Sequence, residues 1–233
     1  MARHWHVALL ESAPAAADEG HAFDVHLLAC ILGVAFAEVE AGTATLAGAT
    51  GLDIATLDLL LADVFPGFER EAIEGFDATP PSPEIEEEML RDLLLAHIAS
   101  LDASRISHLA SSDASGETVF ALAIAPVLAR LVARRALRPD HLWQDLGLYD
   151  RSELNRLLAR HFPELHAGNT ANMRWKKYFY RKLCEAEGFS LCSAPSCADC
   201  ADFAECFGSE DGESRMAEHR RTLERTSPPL AAE

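Results

Sequence analysis

Six cysteines occur in the chain, and four of them, Cys192, Cys197, Cys200 and Cys206, fall in one short C-x4-C-x2-C-x5-C segment. Thiolates this close along a chain can converge only if the backbone wraps around something. The x2 spacing lets Cys197 and Cys200 reach one centre from a single turn, and Pro195 helps to hold the loop open. Runs of this density are typical of cluster-binding loops, in which each iron takes one thiolate. A structural zinc site prefers two C-x2-4-C pairs set well apart, and here only one such pair exists. Spacing therefore favours iron and sulfide, and leaves zinc and redox-active or unliganded thiols open.

The segment just upstream, Met173-Arg-Trp-Lys-Lys-Tyr-Phe-Tyr-Arg-Lys-Leu-Cys184, carries Arg174, Lys176, Lys177, Arg181 and Lys182 with no acid among them. Trp175, Phe179 and Leu183 recur at i, i+4 and i+8, so one face of a helix here packs. Its cations read either as an ordinary solvated face or as neighbours of the cysteine loop. In the second case they lower thiol pKa values, offset an anionic cluster, and attract an oxyanion or an acidic partner. Cys184, at the end of this helix, reads as a core residue, with a place behind the ligands or a spare ligand as alternatives, and Cys30 reads as core. Of the ten histidines, His141 and His161 are the nominated non-thiolate ligands, because helix ends near the loop would present them. His4 and His6, an H-x-H near the start, and His97, His108 and His166 read as surface or capping residues.

The elements that must position these groups are helical, and strand-like alternation is absent. Phe23, Leu27, Cys30, Ile31, Val34 and Phe36 recur at helical spacing, which predicts a helix over 23–40. A second helix is predicted over 52–64, before Pro66-Gly67. A third starts after Ser82-Pro83, runs to about Ser100, and begins with the acidic run Glu84–Glu88, read as a solvated helix start. Further helices are expected over 117–137, with Pro126 inside, and from Asp150 or Ser152 to His161. The last long helix is expected over 170–187, stopped by Gly188. His141-Leu-Trp-Gln-Asp-Leu-Gly-Leu148 reads as a helix-cap and packing module. The fold class is all-α, a multi-helix bundle with a C-terminal cysteine-rich loop. Its parts are a loosely ordered start (1–20), a helical body (21–168), the basic helix with the cysteine loop (169–208), and a charged tail (209–233).

The chain has 233 residues, 49% of them hydrophobic, enough to build a core without a metal. Its 37 acids against 20 Lys plus Arg give a formal charge of −17, which disfavours nucleic acid and anionic membranes as partners. No apolar run reaches the ~20 residues of a membrane span. Val7–Leu10 is too short for a secretory signal, so a cytoplasmic protein with reduced thiols is expected. There is no Ser/His/Asp constellation and no Gly-rich phosphate loop.

The run MRWKKYFYRKLCEAEGFSLC, followed by AP-x-C-x2-C and CFG, resembles the C-terminal signature of the NifQ family, as do HLWQDLGL and the Arg-Ser-Glu-Leu that follows. The resemblance extends from about Glu84 to Gly208, is weaker in the first 80 residues and is absent from the tail. It implies a metal carrier rather than an enzyme: a cytoplasmic molybdenum donor in nitrogenase cofactor assembly. Such a protein holds a molybdenum–iron–sulfur cluster, draws on molybdate, and passes molybdenum to the cofactor scaffold and reductase proteins. The resemblance makes Cys192, Cys197, Cys200 and Cys206 the cluster ligands. The residues alone leave an iron–sulfur redox or sensor protein and a zinc-stabilised interaction module as competing classes.

Overall fold

The computed structural model describes residues 2–69, 85–99 and 116–186. They form helices and no strand, as the apolar periodicity predicts. In chain order these are α1 (Ala2–Ser12), α2 (Glu19–Glu40), α3 (Leu46–Thr50), α4 (Ile54–Val64), α5 (Ile85–Ala99), α6 (Gly116–Ala136), α7 (Leu142–Asp145), α8 (Arg151–His161), α9 (Pro163–Gly168) and α10 (Trp175–Ala186).

α2 is the axis of the fold. Leu27, Leu28, Ala29, Cys30, Ile31 and Leu32 follow one another and are all buried, so every face of this helix is covered. A helix that is apolar all round has to be surrounded. Here α1, α3 and α6 pack against it. By length and composition α2 could cross a membrane, but 72% of its most apolar stretch is buried inside the fold. It is a core helix. Phe36, Phe65, Phe162 and Phe179 are fully buried members of the same core. Each such side chain contributes about 1.5–3 kcal/mol of transfer free energy.

Helix starts follow local chemistry. Asp18, Thr45, Asp53 and Asp150 each stand just before a helix and accept a first-turn amide, from His21 (2.8 Å), Gly48 (3.1 Å), Thr56 (2.8 Å) and Glu153 (3.1 Å). Pro163 closes α8, as expected, and then opens α9 at its first position, where its missing N–H costs nothing.

Three expectations need correction. Residues 1–20, read as a loosely ordered start, hold α1, whose Trp5 and Leu9 are buried against the body. Trp5 meets Phe36 edge-on at 5.9 Å and donates from Nε1 to Glu40 Oε2 (3.1 Å). The acids at the start of α5 are not all solvated: Glu87 is buried and pairs with Arg134 at 3.1 Å. The last helix starts at Trp175 rather than at Thr170, because Asn169 clasps Met173 from both sides. Its Oδ1 accepts the Met173 N–H (2.9 Å) and its Nδ2 donates to the Met173 carbonyl (3.0 Å). The Ser82-Pro83 helix start, the Gly188 stop and the charged tail lie outside the described residues.

Candidate functional site

α10 is the element that leads into the cysteine segment, and its register follows from its sequence. Trp175, Phe179 and Leu183 are buried as their spacing predicts, and Tyr178 joins them. Trp175 donates from Nε1 to Asn155 Oδ1 (2.7 Å) and stacks on His166 at 5.8 Å. Arg151 holds the loop before the helix, donating from Nη2 to the Met173 carbonyl (2.8 Å) and to Asn172 Oδ1 (3.0 Å). Helix, loop and α8 are thus tied together by Arg151 and Asn155.

The five cations of this segment do not form one uniform face. Lys176 turns inward: its Nζ donates to Asp145 Oδ2 and to the Arg138 carbonyl. Burial pushes the Lys176 amine below its ordinary pKa and the Asp145 carboxyl above its own, and their mutual hydrogen bond only partly opposes this. Arg181 and Lys182 share Glu185, at 2.9 and 3.0 Å, and that carboxyl is held below the ordinary range by these two bonds. Lys177 is exposed and Arg174 half-buried. Asp145 from α7 and Glu185 in the last turn of α10 thus pair with three of the five cations.

The Lys176–Asp145 pair belongs to a larger ionic layer. Arg135, only 2% exposed, donates from Nε to the Asp145 carbonyl (2.6 Å) and from Nη1 to Glu38 Oε1 (2.8 Å). Arg138 donates to the other Glu38 oxygen at 2.9 Å. The basic end of α6, of the sign that suits a helix C-terminus, thus also supplies internal staples to α2 and α7.

The two nominated histidines both stand at helix ends of the body. His161 is buried, with its Nε2 at 2.9 Å from Asp24 Oδ1, and Arg160 grips the same carboxylate with two bonds of 2.8 and 2.9 Å. Burial raises the Asp24 pKa, but the bonds from His161 and Arg160 outweigh it and the carboxyl lies below its ordinary value. His161 is therefore packed inside the body on the core helix. His141 stands immediately before α7, where its backbone N–H donates to Gln144 Oε1 (3.3 Å), as the packing reading of HLWQDLGL expects. Cys184 is a free, half-buried thiol. Cys30 is buried on α2, and burial, together with the charge of Glu153, pushes its thiol up to about 12. Cys192, Cys197, Cys200 and Cys206 lie outside the described residues.

Comparison with known proteins decides the family. A family model described as NifQ matches residues 27–208. The chain belongs to the NifQ family. It is 48% identical over 192 residues to the Protein NifQ homolog of Sinorhizobium fredii (strain NBRC 101917 / NGR234), covering 82% of this chain and 75% of that relative. It is 34% identical over 196 residues to Protein NifQ of Rhodobacter capsulatus, covering 83% of this chain and 95% of that one. A shorter match, 49% over 83 residues, joins it to Protein NifQ of Azotobacter vinelandii, with 36% of this chain and 43% of that one covered. No solved structure matches the chain.

The NifQ match takes in α10 and all four clustered cysteines, and it begins at Leu27, after α1. What sequence reasoning missed in this NifQ-family chain is the set of acids that position the basic helix and its neighbours: Asp24, Glu38 and Asp145. One signal was available. Asp24 stands between Phe23 and Val25 on an apolar helix, and a carboxylate there has to find a partner inside the fold.

Proposed function

We propose that this NifQ-family chain works in nitrogen fixation as a molybdenum carrier, which receives molybdenum derived from molybdate and donates it to nitrogenase cofactor assembly. The observation that carries the reading is the family match over 27–208, which includes every cysteine of the C-x4-C-x2-C-x5-C segment. Four soft thiolates suit iron and sulfide, so the cargo is a molybdenum–iron–sulfur cluster held by Cys192, Cys197, Cys200 and Cys206. The acceptors are the cofactor scaffold and reductase proteins. A donor has to hold its metal firmly and still release it, which suits unequal ligands: three cysteines on iron, and the fourth beside molybdenum at the exchangeable corner. Arg174, Lys177, Arg181 and Lys182 precede this segment directly and favour an anionic cargo or an acidic acceptor.

Anaerobic purification followed by elemental analysis tests the reading. Iron, sulfide and molybdenum together are expected. Iron and sulfide alone would favour a redox or sensor protein, and zinc alone an interaction module. Single Cys→Ala variants should lose iron unequally, with one variant losing mainly molybdenum; equal iron loss from all four would remove the unequal-ligand idea.

A further inference from the structure

A group of side chains of metal-ligating type lies where α1 meets α2. His6 of α1 faces His26 of α2, with His6 Nε2 3.3 Å from His26 Nδ1. Cys30, one turn further along α2, places its Sγ against the same ring, 3.8 Å from Nδ1 and 3.6 Å from Nε2. The three donor atoms all lie within 4.8 Å of one another. For bonds of about 2.0–2.1 Å to nitrogen and 2.3 Å to sulfur, the edges of a tetrahedron around zinc are about 3.3–3.6 Å long. The His6–His26 separation matches such an edge, and Cys30 Sγ lies a few tenths of an ångström beyond one from His26 Nδ1. The i, i+4 spacing of His26 and Cys30 puts both on one face of one helix, the spacing that helical histidine pairs use to hold zinc.

The other ring nitrogen of His26 has the partner such a ligand requires. His26 Nε2 lies 3.0 Å from Glu153 Oε1, and Glu153 is itself fixed by the Tyr149 N–H, which donates to Oε2 at 2.8 Å. A proton on Nε2 directed at this carboxylate leaves the Nδ1 lone pair facing His6, and such carboxylate support is usual behind a metal-bound imidazole. The Tyr149 ring lies 5.2 Å from His26 and 6.1 Å from His6 and is 64% exposed, so solvent reaches this side of the group. The contacts from His6 through His26 to Glu153 hold the two imidazoles together beside the buried Cys30 thiol.

We propose that His6 Nε2, His26 Nδ1 and Cys30 Sγ form a site for a divalent transition-metal ion of borderline softness, such as zinc, with Glu153 orienting His26. Two imidazoles and a thiolate suit such an ion, and the fourth position is left to water on the Tyr149 side. On binding, the Cys30 thiol gives its proton to solvent; the ion is then the largest charge in the site and replaces burial as the deciding influence there. The site joins α1 to α2 and, through Glu153, to α8. It uses none of the clustered cysteines, and two of its three ligands, His6 and His26, precede the NifQ match.

The test uses the full chain with Cys192, Cys197, Cys200 and Cys206 all replaced by Ser, titrated anaerobically with cobalt(II) as a spectroscopic probe. Roughly one equivalent should bind, with tetrahedral visible bands and a thiolate-to-cobalt charge-transfer band, and zinc should displace it. His6→Ala should weaken binding at least ~10-fold, a loss already seen when supporting residues behind metal ligands are removed. Cys30→Ser should abolish the charge-transfer band. His6 and Cys30 carry the test if His26→Ala does not fold, and thermal melting without metal checks that both variants do. Absence of a charge-transfer band in the parent, or a band unchanged in His6→Ala, overturns the proposal. Since the clustered cysteines are absent throughout, neither result bears on the molybdenum reading.

Discussion

Asp24 sits fully buried on α2 between Phe23 and Val25, and its two oxygens take bonds from Arg160 and His161 of α8. Removing one partner of a buried charge set leaves the others uncompensated, so Asp24→Ala should cost about 3–5 kcal/mol, read as a lower urea midpoint at unchanged slope. A cost below ~1 kcal/mol would mean that water or a rearranged neighbour replaces the carboxylate. The same residue sets a pH dependence. Burial opposes its charge, but the bonds from His161 and Arg160 win, so folded Asp24 holds its proton less tightly than the unfolded chain does. Its contribution is present above the ordinary carboxylate pKa and is lost as pH falls through the lowered folded value. The Asp24→Asn variant should therefore lose less stability than the parent between about pH 5 and pH 2. Sequence reading could flag an acid on an apolar helix, but not which residues answer it, because Arg160 and His161 lie more than a hundred positions away.

At the scale of elements, the module His141–Leu148 shows why a short motif can carry a strict requirement. Gly147 has φ 72° and lies against the core helix, so that a Cβ built there would be 2.8 Å from the Cys30 carbonyl oxygen and 2.5 Å from Val34 Cγ2. Both the left-handed backbone and the close approach demand glycine. Gly147→Ala should destabilise by at least ~2 kcal/mol, since strain and overpacking add. A thermal midpoint within a degree or two of the parent's would show that the loop can move away from α2. The glycine was legible as a helix stop, whereas its contact with α2 was not. The same holds for α1: its length and its Ala-rich surroundings resemble an unanchored start, and only the apolar surface of α2 gives Trp5 and Leu9 somewhere to go.

Across the whole molecule, Glu38, Arg135, Arg138, Asp145 and Lys176 form one ionic layer that joins α2, α6, α7 and α10. It fixes the base of the helix from which the cysteine segment continues. Lys176→Ala should therefore loosen α10 locally: its amides from Tyr178 to Leu183 should exchange roughly 10-fold faster, while those of α2 keep their protection. Equal acceleration in both would mean that the layer supports the fold as a unit rather than the docking of α10. The all-α class, the apolar face of α10, the Asp150 cap of α8 and the four-thiolate segment with its family were determined by the sequence itself. These depend on neighbours within a few residues: period, cap chemistry and ligand spacing. The inward turn of Lys176, the burial of His161, the covering of α2 by α1 and the meeting of His6 with His26 and Cys30 were decided only by the tertiary structure. Each joins groups on separate helices, and pairing across helices is set by which faces pack, a property that local spacing does not contain.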